Sequence, residues 1–304
     1  MKFGSIKLWA LAFALGGVLC ANDLDDRYAA LKDAQTKKDP DAVKKLAVEC
    51  SKLARVEATA PQPADAAAVA DWKQRVEFAK QVDLFAEYSL ATTAIATAAE
   101  PDKMEELVDA LLVLNPKSQY LTLCSSTYLA GLAKTPEKQL AAAQKLLTAN
   151  GNNEEALEVL ALGYSSSNPE RASGYATRLI TVMKGEKKPD GVTDADWEKQ
   201  KSAKLGNGYY IAGTAACTKS GWIDCDRNLK LAVPYVSKDQ RTLGITYFYL
   251  GLADYQIGKV TSDRTKIQEG QKYSEQSAAI PGPMQAQAYK NATAMKAELA
   301  APRR

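Results

Sequence analysis

The chain has 304 residues, enough for one extended array of helices or about two ordinary domains. It is 46% hydrophobic but only 8% aromatic, and Ala and Leu, which are strong helix formers, carry much of the apolar share. Runs of β-branched residues bounded by turn residues, the usual sign of a strand, are nearly absent, so we predict an all-α fold. Removing Lys2 and Lys7 with an N-terminal segment leaves 37 of the 39 basic residues against 36 acidic ones. This balance argues against nucleic acid or an anionic membrane surface as a partner.

Residues 1–21 are typical of a secretory signal peptide. Lys2 and Lys7 supply positive charge, residues 8–19 form an apolar stretch of 12, and Cys20 and Ala21 provide small residues near a cleavage point. The stretch is shorter than the roughly 20 residues that span a bilayer. We therefore expect an exported protein, periplasmic or extracellular, without a membrane span. The alternatives are a buried N-terminal helix and a lipid anchor on Cys20, although Leu19 departs from the small residue expected before a lipidated cysteine.

Residues 22–60 are predicted to form an N-terminal helical hairpin. Asp39 can cap the second helix, and Pro40 suits its first position. Apolar residues then recur at the spacing of one helix face. The prolines of residues 61–63 mark a break, and a long helix is predicted from about residue 65 to residue 99.

A spaced helical pattern recurs along residues 64–283. Each unit carries characteristic residues at its first, fourth, fifth and eighth positions, and the intervals between units are 34, 35, 53 and 37 residues. A period near 34 indicates helix-turn-helix repeats that stack into a solenoid. The interval of 53 predicts an insertion at about residues 185–203, and residues 284–304 are predicted to form a capping helix and tail. The five units begin at Tyr88, Thr122, Leu157, Tyr210 and Tyr247.

Turn residues separate the two helices of each unit. Pro101, Pro136 and Pro169 mark three of these turns. In the last unit we place the turn at Gly258 and a longer polar loop over residues 260–268. The units are therefore expected to be antiparallel helical hairpins.

These residues resemble the tetratricopeptide repeat (TPR) family. Small residues at Ala161 and Gly251 would let the two helices of a hairpin approach closely. The resemblance implies a TPR-like α-solenoid of stacked antiparallel helical hairpins wound into a right-handed superhelix. Thr122 and Asp254 depart from the aromatic residues of the pattern, and a related α-solenoid family is the alternative. The best-matching residues are Leu157, Leu160, Ala161, Tyr164, Leu250, Gly251, Gly258, Met104, Val108 and Pro116.

The resemblance also implies a concave groove, lined by the first helices, that binds a peptide or protein. Family members that bind chaperones clamp a carboxylate with Lys and Asn, but those positions here hold Ser89, Thr93, Leu123, Thr127, Glu158 and Leu162. An apolar or extended peptide is therefore the expected ligand. Alternatively, the aromatic residues simply pack between helices. The expected groove residues are Tyr120, Leu123, Thr127, Glu158, Leu162, Ile211, Phe248, Leu252 and Tyr255.

Four cysteines follow the signal segment and allow three full pairings. Cys217 is expected near the end of one helix and Cys225 early in the next. Two antiparallel helices joined in this way can bring the Cα atoms within the roughly 4.4–6.8 Å that a bridge needs. Cys217 and Cys225 are therefore the disulfide candidate, and two buried thiols are the alternative.

The sequence contains no histidine, which excludes Ser-His-Asp and Cys-His catalysis and removes the commonest transition-metal ligand. It also lacks the glycine-rich loops that bind phosphate groups. We therefore predict no catalytic residue, cofactor or metal, and a non-enzymatic scaffold for protein–protein interactions in the cell envelope. The alternatives are a lipid-anchored outer-membrane assembly factor with acylated Cys20, and an enzyme such as a glycan hydrolase with two carboxylates in a concave pocket.

Overall fold

The computed structural model describes residues 23–189 and 191–301, and the expected signal segment with Cys20 lies outside them. Over these residues the chain forms thirteen α-helices and no strand, which confirms the all-α prediction. None of these helices is both long and apolar enough to cross a membrane. The chain divides into two compact units at Glu155. The helices of the first unit are α1 (Asp23–Lys37), α2 (Pro40–Ala58), α3 (Val69–Ala96), α4 (Pro101–Leu114), α5 (Tyr120–Gly131) and α6 (Pro136–Ala149). The remaining helices are α7 (Glu154–Tyr164), α8 (Pro169–Gly185), α9 (Asp194–Thr218), α10 (Trp222–Val236), α11 (Gln240–Thr261), α12 (Arg264–Ala279) and α13 (Gln285–Ala300).

Aromatic side chains join α1 to α3. The Tyr28 ring of α1 meets the Phe78 and Phe85 rings of α3 edge-on, with centroids 5.7 and 5.2 Å apart. Such edge-to-face pairs are each worth about 1 kcal/mol beyond the area that they bury. Between α1 and α2, the Asp39 carboxylate accepts a hydrogen bond from the backbone N–H of Ala42 at 3.0 Å. The predicted cap and the following proline thus start α2.

The second helices of three successive hairpins, α4, α6 and α8, also begin with a proline. Pro101, Pro136 and Pro169 occupy the first positions of α4, α6 and α8, at intervals of 35 and 33 residues. Proline suits this position because its fixed φ is already helical and its missing N–H would have no partner there. The preceding residues also match, since Glu100 has φ −121° and ψ 79° and Thr135 has φ −126° and ψ 76°. The recurrence in the sequence is therefore also a recurrence of backbone geometry.

The ends of α4 and α6 repeat each other as well. Asn115 and Asn150 are the C-terminal caps, and both have an extended backbone. The Asn115 side chain accepts a hydrogen bond from the backbone N–H of Lys117, and Asn150 accepts one from Asn152, both at 3.0 Å. The same turn thus leads from each second helix to the next first helix.

Glycines bring α11 and α12 of the second unit into backbone contact. A Cβ atom added to Gly270 would lie 2.8 Å from the carbonyl oxygen of Gly251 and 2.9 Å from the backbone nitrogen of Tyr255. Any side chain at this position would push the two helices apart. The close approach expected at Gly251 is therefore present.

The turn between α11 and α12 differs from the prediction. Gly258 is buried inside α11, and the turn consists of Ser262 and Asp263. Ser262 has a left-handed φ of 57°, and Asp263 caps α12 by accepting a hydrogen bond from the backbone N–H of Thr265 at 2.8 Å. The turn at Gly258 and the loop over residues 260–268 were wrong. Gly258 is small because Ile267 packs against it, with Cγ1 only 2.7 Å from where a Cβ would stand.

The interval of 53 residues between the third and fourth sequence repeats contains a loop and the first turns of α9. Helix α8 continues to Gly185, and α9 begins at Asp194 and extends to Thr218. Thr193 caps α9, because its hydroxyl oxygen accepts a hydrogen bond from the backbone N–H of Asp196 at 3.1 Å. Part of the expected insertion therefore lengthens a first helix.

A disulfide joins Cys217 to Cys225, with Cα atoms 5.0 Å apart. It links the end of α9 to the start of α10 and packs into an apolar cluster of the second unit. Cys50 and Cys124 are free and fully buried. Burial raises the pKa of the Cys50 thiol to about 11 and that of Cys124 to about 12. Both therefore stay protonated and pack as small apolar groups.

Candidate functional site

Two ion pairs connect the first turns of α2 and α4 in the first unit. Lys103 Nζ lies 2.8 Å from Asp41 Oδ1, and Lys44 Nζ lies 2.6 Å from Glu106 Oε2. Both pairs join residues that are 62 positions apart. The constant offset shows that α2 and α4 run parallel to each other.

Beyond these ion pairs, α2 and α4 enclose an open groove of about 530 Å³. Its wall residues on each helix follow the spacing of one helix face. The groove is thus a preformed concave surface between two second helices. The wall residues are Val48, Ser51, Lys52 and Arg55 on α2, and Glu106, Asp109, Ala110, Val113 and Leu114 on α4.

Helix α3 places the carboxylates of Asp83 and Glu87 beside Arg55 in this wall. Arg55 Nε donates a hydrogen bond to Asp83 Oδ2 at 3.0 Å, and the Ser51 hydroxyl donates to the other oxygen of Asp83. Glu87 is only 3% exposed and accepts a hydrogen bond from the Asn115 amide at 2.8 Å. These contacts fix one end of the groove.

Valines expose apolar surface along the groove. Val113 is 86% exposed and Val48 is 43% exposed. Val56, one turn beyond Lys52 on the same ridge of α2, is 67% exposed. The equivalent of Val113 in the next hairpin, 35 residues later, is the polar Thr148. The fold of the hairpin therefore does not require a valine at position 113.

The predicted groove residues of the first unit lie on α5. The Tyr120 ring packs edge-on against Tyr88 with centroids 5.6 Å apart and is half-buried. Thr127 is also half-buried, whereas Leu123 is 41% exposed. Part of the Tyr120 surface is thus buried in a contact between helices. This agrees with the alternative that the aromatic residues pack between helices.

In the second unit, Glu158 and Ile211 are engaged in packing. Glu158 Oε1 accepts a hydrogen bond from the Asn207 amide at 2.6 Å, and Lys204 Nζ lies 3.4 Å from its other oxygen. Ile211 is 2% exposed. Leu162, at 49%, keeps much of its surface in solvent.

The other three expected residues lie on α11. Phe248 packs edge-on against Tyr249 with centroids 5.4 Å apart, and both Phe248 and Leu252 are half-buried. The Tyr255 hydroxyl donates a hydrogen bond to Glu298 of α13 at 2.9 Å. The last helix thus contacts Tyr255 as it packs on α11.

The α2–α4 groove was not identified from the sequence. The packing stripe of α4 contains Met104, Val108 and Leu111, all nearly fully buried. Val113 falls outside this stripe, and Val48 falls outside the corresponding buried row of α2. The only sign of the groove in the sequence was therefore that Val48 and Val113 are apolar residues on otherwise polar helix faces.

A buried charge cluster joins α10, α11 and α12 in the second unit. Asp254 has no exposed surface, and its Oδ1 accepts a hydrogen bond from Lys266 Nζ at 3.0 Å. Burial, together with the neighbouring Asp226, raises the pKa of Asp254 to about 6 against the opposing effect of Lys266. The charged and titratable groups facing Asp254 are Asp226 and Lys230 of α10 and Lys266, Glu269 and Tyr273 of α12.

Three carboxylates thus meet here, where the enzyme alternative requires two, but the fully buried Asp254 is inaccessible to a substrate. Lys230 and Lys266 also lie within 3.6 and 3.0 Å of its two oxygens. Within residues 23–189 and 191–301, no group of Asp, Glu and Cys side chains is arranged to hold a metal ion. The contacts seen at this cluster are those of helix packing.

The charge cluster predicts an unusual pH dependence of stability. The pKa of Asp254 is about 6 in the native state, whereas its ordinary value is 3.8. Asp254 therefore binds a proton more tightly in the native state than in the unfolded chain. Protonation therefore stabilises the native state as the pH falls through this window, and the gain is lost as the pH rises above about 6. We expect the free energy of unfolding to increase by about 1 kcal/mol between about pH 7 and pH 5.

In Asp254→Asn this increase should disappear, because the amide can still donate to Asp226 but does not titrate. Hydrogen exchange of α11 and α12 amides at several pH values measures the effect in the second unit. The exposed Asp224 of α10 provides the matched control, Asp224→Asn. The explanation would be contradicted by a pH dependence in Asp254→Asn equal to that of the wild type.

No protein-family model matches the chain, and no curated protein is significantly similar to it. Function is therefore inferred from the groove and its side chains.

Proposed function

We propose that the chain is an exported helical scaffold that binds a segment of another protein in the α2–α4 groove. The observation that carries this proposal is the exposure of Val113 and Val48 in a concave surface. Complete burial of a valine is worth about 1.5–3 kcal/mol relative to full exposure. A ligand that covers both residues would gain part of this energy, and the groove gives it walls to pack against.

The stacking of second helices in the first unit supports a TPR-like α-solenoid. Lys145 Nζ lies 2.8 Å from Asp109 Oδ1, and Lys138 Nζ lies 3.8 Å from Asp102 Oδ1. Both pairs join residues 36 positions apart, so α6 runs parallel beside α4. Parallel second helices are what consecutive hairpins of a repeat array present. The right-handed superhelix of the TPR family is part of the same proposal.

Export to the periplasm or cell exterior is supported by two features. The first is the signal-like segment of residues 1–21. The second is the disulfide between Cys217 and Cys225, since disulfides persist in oxidising compartments. The lipid-anchored alternative requires acylated Cys20. Recovery of the protein in the soluble periplasm without detergent would contradict that alternative.

Amine-reactive cross-linking in intact cells, followed by mass spectrometry, tests the binding function. Lys52 lies in the groove wall and offers a reactive amine close to the ligand. We expect cross-links from Lys52 to a reproducible partner protein. In Val113→Glu their yield should fall at least about tenfold, because a charge replaces apolar contact surface.

The matched control is Val260→Glu. Val260 lies at the end of α11 and is 81% exposed, close to the 86% of Val113. Both variants should fold as well as the wild type, because neither side chain belongs to a core. Equal yields from Val113→Glu and Val260→Glu, or no reproducible partner in the wild type, would count against the proposal.

A further inference from the structure

We infer that the occupant of the α2–α4 groove is an amphipathic α-helix of a partner protein that carries a carboxylate beside its apolar face. The inference rests on the proposed function and adds the class of ligand. It follows from the length of the groove, the chemistry of its walls and Lys52, the one basic residue of the walls without an acidic partner among the described residues.

The groove has the length of a short helical stripe. Its α2 wall extends from Val48 to Arg55 and its α4 wall from Glu106 to Leu114. At a rise of 1.5 Å per residue these walls are about 10 and 12 Å long. Apolar residues at positions i, i+4 and i+7 of a ligand helix span about 10 Å as well. Three such anchors therefore match the groove.

The walls favour a helix over an extended peptide. An extended peptide gains affinity from main-chain hydrogen bonds to a strand edge. Both walls here are α-helices, and apart from the last carbonyl groups of α4 their backbone groups bond within their own helix. An extended ligand would bring unpaired N–H and C=O groups against Ala110, Val113 and Leu114, which is costly. A helix satisfies its own backbone before it docks.

The charged residues of the groove walls indicate where the ligand helix carries its carboxylate. Glu106 already has Lys44 and Lys103 as partners, and Asp109 has Lys145. Arg55 is likewise held by Asp83 of α3.

Lys52 differs from these residues. No side chain in the described part of the chain lies within ion-pair distance of it. It stands between the exposed Val48 and Val56 on one ridge of α2, one turn from each. A carboxylate at the edge of the ligand's apolar face would meet Lys52 while the apolar face covers the valines.

Selection from a library of random 16-residue peptides displayed on phage tests this ligand class. The purified protein is the target, and peptides that also bind Val113→Glu are removed. We expect the enriched peptides to carry apolar residues at i, i+4 and i+7, an acidic residue next to one of them, and no internal proline. A synthetic copy of the best peptide should bind Lys52→Glu about fivefold more weakly, and replacing its acid by lysine should reverse this preference.

Each other outcome contradicts the inference. Enrichment of proline-rich peptides, or of peptides with alternating apolar residues, would show that the groove takes an extended ligand. Failure to enrich any peptide dependent on Val113 would show that it takes no linear helix. Self-association in sedimentation velocity that Val113→Glu abolishes would assign the groove to a second copy of the chain. A partner cross-linked from Lys52 together with extended peptides would retain the proposed function and overturn only the ligand class.

Discussion

Replacing Gly270 with valine is expected to lower the free energy of unfolding of the second unit by about 3 kcal/mol, at the upper end of the usual cost of overpacking. The atoms in the way of a side chain are the Gly251 carbonyl oxygen and the Tyr255 backbone nitrogen, at 2.8 and 2.9 Å from the Cβ position. Backbone atoms cannot rotate aside as a flexible side chain can. The two helices would have to separate, and the packing along α11 and α12 would loosen.

Gly174→Val is the matched control, because Gly174 lies within α8 of the same unit and has no atom within 4 Å of its Cβ position. Valine has a slightly better helix propensity than glycine, so the control should change stability by less than about 0.5 kcal/mol. Urea denaturation followed by circular dichroism measures both variants. Similar losses in the two variants would show that the close crossing of α11 and α12 is not what requires Gly270.

Removing the Cys217–Cys225 disulfide is expected to destabilise the second unit by about 2–3 kcal/mol. The bridge closes a short loop, with a sequence separation of 8, between α9 and α10. It restricts the unfolded chain more than the folded one, in which the helices already hold the two residues together. The double variant Cys217→Ala and Cys225→Ala should therefore unfold at lower urea concentration.

Reductant provides the control for this prediction. It should shift the unfolding of the wild type by a similar amount and leave the double variant unchanged. Alkylation followed by mass spectrometry checks the bond itself: in denaturant without reductant, Cys50 and Cys124 should react while Cys217 and Cys225 do not. Modification of all four under those conditions would mean that the bridge is absent from the protein.

The order of the helices could be predicted from the sequence because the signals are local. Proline at positions 101, 136 and 169 suits the first position of a helix through its own covalent geometry, which is a local property of the chain. The pairing of Cys217 with Cys225 was accessible for a similar reason, since a short turn limits how far apart the two residues can be. These features depend on neighbours along the chain.

The groove and the charge cluster could not be predicted because they depend on residues distant in the sequence. The α2–α4 walls combine side chains about 60 positions apart, and no local pattern states that a gap remains between them. Asp254 departs from the aromatic residue of the repeat pattern, and only the fold shows that Lys266 and Asp226 surround it. Gly258 was assigned to a turn because glycine serves both turns and close helix contacts.

The matching backbone at Glu100 and Thr135 has a consequence for how this chain can change in length. Because both residues lead into a proline-started helix with nearly the same φ and ψ, a segment of 35 residues between them has interchangeable ends. Duplication or loss of that segment in the gene would join backbone conformations that already match at both ends. This part of the chain is therefore suited to gain or lose whole hairpins. A chain that had lost this segment would place α6 beside α2, with Thr148 instead of Val113 at the groove. The groove that we propose as the binding site would then change with the number of hairpins, without any point substitution.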